Sequence, residues 1–554
     1  MQRRWRHTLT LRKKKISKNP VSFNGQIASA ADIAALRVTT DQKIAAIKNT
    51  ENLTPTTGLY KRVYYVSSST GSDSNNGTSA DKPFKTIAKV NSVLDGLSSS
   101  YSATVCFKRG DTWRGEQLVT VPKLTVTAYG TGAKPVIMGS PENGGGSANA
   151  SKWTEVQTNI WRYEGSQNWS DVGNIIFNDG ESYATKIVQL YVKQEAWSDY
   201  QITDYTNAPA QKYSFKSYTD LKNDLDFFHD KNFEGGSGAT GYLYMYSTSN
   251  PATRFNSIEF ATRNDLVYIH HTDNVTIDNI CFKYEGGHAI AADGQPGSDL
   301  VLDDLTVQNC EFYWIGGSIH DRIKSSVLGT DTTAYDTRYG NAIEVYGACD
   351  GFIARNNYIY QVFDAGITVQ KTVGSDAGTK DWSQKNIEFS GNVIEYCNYS
   401  IEYFLTQIPD GNNSSMVNFV ISDNYMWNAG YGFCETRMIW GRGFAAHIKS
   451  QFGAPCNRAT GFEISNNVMI GAKDNMVQIR TGFGESSMPL FKNNTLYGYY
   501  DLDGNAAEGY RIGEVRNTTD DKQIWAAYDS NIDAYMKENM GTQYGEGNKY
   551  YFMF

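Results

Sequence analysis

Between Asn274 and Tyr497 the hydrophobic and polar positions fall into a degenerate repeat of short alternating runs, each closed by asparagine. The clearest copies are FIARNNYI, IEFSGNVI, FVISDNYM, FEISNNVM and LFKNNTL; aligning them places Asn357, Asn392, Asn424, Asn467 and Asn494 in one column. VTIDNICF and LTVQNCEF are looser, earlier copies. A period of two, with turn residues at fixed phase and no helical period, predicts short strands. One repeat unit, about 25 to 45 residues, is then a rung plus a variable loop. A stacked Asn suits a turn, because it tolerates left-handed dihedrals and its amide can bond the Asn above and below. The predicted fold class is all-β: a right-handed, single-stranded parallel β-helix, a solenoid that grows by adding rungs.

A second strand of each rung aligns as NAIEVYG, AGITVQ, YSIEYF, AAHIKS and NMVQIR. Ile343, Ile367, Ile401, Ile448 and Val477 form an aliphatic, inward column. Alternation then turns Glu344, Thr368, Glu402, Lys449 and Gln478 outward, with Ala342, Gly366, Ser400, His447 and Met476 as the adjacent column. A slip of one residue would reverse every face.

Outside the repeat the pattern changes. Ser29 through Ile47 reads as a helix with Ile33, Leu36, Ile44 and Ile47 as its apolar positions. Residues 1–60 are expected to be a basic tail and a helical attachment or linker segment. Residues 61–500 are expected to be the β-helix, with opening strands and a cap over 61–235 and regular rungs over 236–500. Residues 501–554 are expected to be a C-terminal cap, in which IWAAYDSNIDAYMKEN is a helix covering the last rung.

Composition sharpens this picture. The chain holds 37 Tyr, 11 Trp and 51 Gly against 12 Pro, which suits turn-rich β-structure with surfaces that stack on flat apolar faces, such as those of sugars. A net charge of -8 argues against nucleic acid as a partner, despite the basic start MQRRWRHTLTLRKKK. That start lacks the apolar stretch of a secretory signal, and no run is long enough to span a bilayer. An extracellular or virion-associated setting is expected, with a cytoplasmic one left open; a virion setting would allow a homotrimer. The seven Cys show no metal-ligand spacing and read as small, buried core residues, so no metal ligands are expected.

The outward column carries the candidate chemistry. Glu344 and Glu402, two rungs apart, should lie on the order of 9.6 Å from each other at Cα. Asp364, in VFDAGIT just before the middle strand, should sit between them at the edge. Converging carboxylates are what glycoside hydrolysis needs, one to protonate the leaving oxygen and another to attack or activate water. Both retaining and inverting spacings are available. Lys449, one rung from Glu402, favours its ionised form and the role of nucleophile or base, leaving Glu344 or Asp364 as the acid. Read blandly, Glu402 and Lys449 are an ordinary cross-strand ion pair. Substrate-binding candidates are His447, Lys449 and Gln370 on the wall. Two long insertions, 317–341 and 435–446, add Arg322, Arg338, Tyr339, Trp440 and Arg442, groups suited to stacking on sugars or pairing with their acidic substituents.

YYVSSSTGSDSNNGTSADKPFKTIAKV (Tyr64–Val90) and FKRGDTWRG (Phe107–Gly115) resemble the opening of many pectate-lyase-like β-helix proteins. VIMGS and KWTEVQTNIWRY are similar to the first strands of β-helix glycoside hydrolases of the β-xylosidase and α-fucosidase/xylanase type. The resemblance covers most of residues 63–500. It implies a polysaccharide or oligosaccharide substrate and a carboxylate pair on neighbouring rungs, for which Glu344, Asp364 and Glu402 are the matching positions. The hydrolase reading takes no cofactor. Its alternative, a polysaccharide lyase, would use Lys449, His447 or Arg442 as base or neutraliser and could take Ca2+ on Glu344 and Asp364, although the oxygen density Ca2+ prefers is missing. A tailspike-like depolymerase suits either chemistry. A glycan-binding adhesin or spike without activity is the third class.

Overall fold

The computed structural model describes residues 26–189, 199–201, 212–214, 217–230, 240–296, 301–322, 336–374, 378–435, 448–450, 458–473, 476–499, 513–516 and 532–553. Short parallel strands wind into three walls around one apolar core, an all-β parallel β-helix. The first wall has ten strands, from Lys61–Val66 to Leu490–Lys492. The second runs from Val136–Met138 through Cys281–Glu285 and Glu311–Ile315 down to Lys549–Met553. The third runs from Leu118–Val119 through Val267–His270, Ile290–Gly294 and Ile343–Gly347 to Val477–Arg480 and Gly513–Arg516. Two long strands, Tyr358–Thr372 and Val393–Thr406, pass without a break from the second wall into the third.

The corner between the first and second walls holds the asparagine column. Asn392 Oδ1 accepts the backbone N–H of Asn357 at 2.9 Å and its Nδ2 at 3.0 Å. The same pair of bonds links Asn392 to Asn424, Asn424 to Asn467 and Asn467 to Asn494. Each side chain also donates to a carbonyl of the preceding rung, as Asn424 does to Phe389 at 2.9 Å. The ladder continues to Asn548 at one end and closes on the Cys310 N–H at the other. The dihedral reasoning needs correction. It is the residue before each ladder Asn that is left-handed, at φ 53° for Asn356, 65° for Gly391, 60° for Asp423, 58° for Asn466 and 56° for Asn493. The looser copies keep that turn with Asn279 and Asn309 but put Ile280 and Cys310 at the ladder position.

The helix expected from Ser29 onward spans Ala30–Lys48, with Ser29 as its cap. It lies against the outer face of the second wall. Ile44 and Ile47 pack with Tyr358 and Val393, Trp427 Nε1 donates to Thr40 Oγ1 at 3.1 Å, and Arg37 pairs with Glu395. Strand Gln26–Ile27, just before it, pairs in parallel with the last strand, Lys549–Met553. That last strand is itself a rung, though it falls in the segment expected to be a cap. At one end of the core Ile87, Val90 and Leu94 of helix Ile87–Asp95 are buried, and Met536 and Met540 of helix Ile532–Met540 join the same core. Six of the seven cysteines are buried and form no disulfide, and Cys456 lies outside the described residues.

The boundary expected at residue 235 falls outside the described residues. Winding begins at Lys61 and is interrupted after Met138: Leu124–Tyr129 pairs directly with Val275–Asp278, and Val136–Met138 with Cys281–Glu285. The intervening chain builds a side unit around a five-stranded sheet, with a core of its own that includes Tyr163, Phe227 and Phe260. Within it Asp171 and Lys186 form a buried pair at 2.6 Å, and the Lys186 charge holds the Asp171 carboxyl well below its ordinary range against the opposing effect of burial.

Removing one ladder member orphans several buried groups at once, each worth roughly 1–3 kcal/mol. Asn424→Ala would strip the acceptor from two Asn392 donors and the donor from the Phe389 carbonyl. Asn548→Ala, at the partly buried end, disturbs less. Thermal unfolding should show a clearly larger loss of midpoint for Asn424→Ala than for Asn548→Ala; equal small losses would contradict a cooperative ladder.

Candidate active site

The third wall has the expected phase. Ile343, Ile367 and Ile401 are Cα partners in successive rungs, followed by Ile448 and Val477. Ile343, Ile367, Ile401 and Val477 lie in the core, as do Val345, Val369 and Tyr403 two residues on. Alternation therefore turns Glu344, Thr368 and Glu402 away from the core, in one in-register column that continues to Lys449, Gln478 and Glu514. The adjacent column does not face outward. Ala342 and Met476 belong to the core, and a Cβ at Gly366 would meet Ile394 and Cys397. These residues lie where the chain turns between walls, marked by a register shift between Val362 and Ala365, so simple alternation fails there.

The three carboxylates occupy different surroundings. Glu402 is only 5 % exposed. Thr368, between it and Glu344, is buried as well, and its Oγ1 has no hydrogen-bond partner. Glu344 is half-buried and accepts a hydrogen bond from Asn341 Nδ2. Asn341 also accepts the Ala365 N–H through its Oδ1 at 2.7 Å, tying Glu344 to the strand that bears Asp364. Asp364 is half-buried at the corner, its N–H donating to the Gly340 carbonyl at 3.3 Å.

His288 stands beside this group, with Nδ1 3.4 Å from Glu344 Oε2. The same Nδ1 accepts the Asn341 N–H at 2.9 Å, so it presents a lone pair and its proton sits on Nε2. The contact with Glu344 is therefore positional rather than an ion pair. Sequence reasoning missed His288 and Asn341, because their partnership spans 53 residues and carries no local signal.

Glu285 underlies the turn that presents His288. It is fully buried, and its Oε1 accepts the backbone N–H groups of Asn264 at 2.6 Å, Asp265 at 3.2 Å and Gly287 at 2.9 Å. Burial raises its carboxyl to about 8, and these hydrogen bonds offset the rise only in part.

Among the substrate-binding candidates, Gln370 is half-buried one position beyond Thr368 on the outward side, in register with Tyr346 and Phe404. The insertion after Gly317 forms a hairpin of Ser318–Arg322 and Asp336–Tyr339, which puts Arg322, Arg338 and Tyr339 on a two-stranded sheet leading directly into Asn341; their side chains lie outside the described residues, as does that of Lys449. His447, Trp440 and Arg442 lie wholly outside them. Tyr346, which sequence reasoning passed over, is 38 % exposed on this wall. Lys371 Nζ lies 4.4 Å from its ring and 4.1 Å from that of Trp382, so the ammonium is held by two aromatic rings.

Residues 265–439 match the family model described as a right handed beta helix region. By fold, this is a right-handed β-helix protein. No curated protein sequence matches the chain. Among solved structures it is similar to one named glycoside hydrolase (9 % identity, TM-score 0.40, covering 89 % of this chain and 96 % of that one). It is also similar to a lacto-N-biosidase from Eubacterium ramulus (11 %, TM-score 0.39, 94 % and 70 %) and to a family 28 exopolygalacturonase from Yersinia enterocolitica (11 %, TM-score 0.36, 85 % and 71 %). No helix among the described residues is long and apolar enough to cross a membrane.

The raised Glu285 carboxyl has a definite pH signature. Between about pH 4.5 and about 8 the folded state holds a proton that the unfolded state releases, so stability falls as pH rises through that window. Glu285→Gln should remove this slope, on the order of a few kcal/mol across the window. Denaturant midpoints of both proteins at pH 5, about 6.5 and 8 measure it; parallel profiles would show that the carboxyl is ionised throughout.

Proposed function

We propose that the protein is a β-helix glycoside hydrolase that cleaves a polysaccharide bound along the third wall. The observation that carries this reading is the in-register outward column of Glu344, Thr368 and Glu402. Its two glutamates stand two rungs apart, about 9.6 Å at Cα, a spacing that leaves room for both a glycosidic oxygen and a water between them.

Glu344, steered by Asn341 and the more accessible of the pair, serves as the acid that protonates the leaving oxygen. Glu402, buried and followed in the column by Lys449, serves as the base that activates water or as the nucleophile. Asp364 at the corner is positioned to orient the sugar or that water. The unpartnered Thr368 hydroxyl between the glutamates supports the same reading, because buried polar groups are nearly always hydrogen-bonded and a substrate hydroxyl would supply the bond. The exposed Tyr346 ring offers apolar surface for contact with a sugar.

Polysaccharide panels followed by reducing-end release, with absorbance read in the unsaturated-uronate band, test the assignment. Reducing ends without that absorbance are expected. Both signals together would mean elimination, and binding without either would mean an adhesin. Glu402→Gln should lower turnover by roughly 10²–10⁴-fold while circular dichroism and the unfolding midpoint stay close to those of the parent. Undiminished activity in that variant removes Glu402 from the chemistry.

A further inference from the structure

A second constellation lies on the same wall, spread over the two rungs before that of Glu344. His270 ends strand Val267–His270 and is the Cα partner of Asp293 in Ile290–Gly294, which in turn is the partner of Tyr346. His271 follows at φ 47°, in the left-handed region, which His enters more often than most residues other than Gly. In a continued strand His270 and His271 would point to opposite faces. Here the left-handed turn brings them together, with ring centroids 3.9 Å apart and planes 28° from parallel.

Both imidazoles face the Asp293 carboxylate. His270 Nδ1 lies 2.9 Å from Oδ1 and 3.0 Å from Oδ2, and His271 Nε2 lies 3.7 Å from Oδ2. One ligand atom from each residue falls within 4.8 Å of the other two. Ligands around a tetrahedral ion with bonds near 2.1 Å sit about 3.4 Å apart, close to these separations. His271 Nε2 is buried and makes no hydrogen bond, although its side chain is 17 % exposed. An imidazole nitrogen that is buried and makes no hydrogen bond, next to a second imidazole and a carboxylate, is left for a ligand to satisfy.

We propose that His270, His271 and Asp293 bind a divalent transition-metal ion of the zinc type. Two nitrogens and one carboxylate suit such an ion and lack the six to eight oxygens of a Ca2+ site. Three protein ligands would leave at least one coordination position for water or another ligand. The proposal stands independently of the hydrolase reading.

The test uses the full chain, stripped with a chelator and titrated calorimetrically with Zn2+, and separately with Co2+ while visible absorption is recorded. One site is expected, with a Co2+ spectrum of low-coordinate, nitrogen-containing ligation. Asp293→Asn, which keeps size and shape, and His271→Ala should each weaken binding by more than about tenfold and remove that spectrum. Absence of binding to the parent, or affinity and spectrum unchanged in Asp293→Asn, overturns the proposal. Circular dichroism of each variant shows that it is folded, and should His271→Ala fail to fold, the Asp293→Asn result decides alone.

Discussion

In-register stacking of parallel rungs is the constraint on which the rest of this molecule depends, and the asparagine column is what holds it. Asn392, typical of the inner members, accepts twice through its amide oxygen and donates twice through its nitrogen, so a rung displaced along the strand direction would break four buried bonds. The effect reaches the carboxylates through covalent structure. Asn357 and Asn392 stand immediately before Tyr358–Thr372 and Val393–Thr406, the two strands that run unbroken around the next corner. Thr368 lies on the first and Glu402 on the second. Fixing the two asparagines thus fixes which side chains of the third wall face away from the core, and a slip of one residue would bury both.

Coverage of the walls follows from the same spacing. The helix over the second wall has 19 residues, about 28 Å at 1.5 Å per residue, which matches six rung intervals of about 4.8 Å. Near its start Ile33 and Leu36 share an apolar cluster with Ile470, Tyr497 and Met553 of the last rungs, while Lys48 at its end lies over Tyr313, five rungs before Tyr497. A helix of this length closes the outer face of the second wall along the regular part of the solenoid. On the third wall Tyr346, His270 and Asp293 keep access to solvent.

The parts of this arrangement that were legible in the sequence are those governed by short-range periodicity. Stacked aliphatic residues at 343, 367 and 401 reveal an inward column because a period of two is local, and the repeated Asn reveals a corner because its chemistry recurs in every copy. What failed or was missed depends on contacts distant in sequence or on a break in period. Ala342 and Gly366 turned inward because a corner bulge shifts the phase. The interruption after Met138 was hidden because its side unit is also made of short strands. The Asn341–His288–Glu344 contact and the helix on the second wall join segments tens to hundreds of residues apart, and nothing local marks such pairs. His270–His271 was visible as a dipeptide, but its meaning depends on Asp293, set beside it only by the stacking.

Polar groups in this protein divide into two physical kinds, and the division separates support from chemistry. At the ladder every amide hydrogen and oxygen is matched, the backbone strain is carried by the neighbouring Asn, Asp or Gly, which tolerate it, and the result is rigidity. On the third wall the matching is incomplete: Thr368 Oγ1 and Thr406 Oγ1 are buried without hydrogen-bond partners, and His271 Nε2 makes no hydrogen bond. Such atoms occur elsewhere too, Asn174 and Asn279 among them, so a bare hydroxyl is not by itself a mark of function. What sets Thr368 apart is its place, between two glutamates of one outward column, where a hydroxyl arriving from outside would complete it.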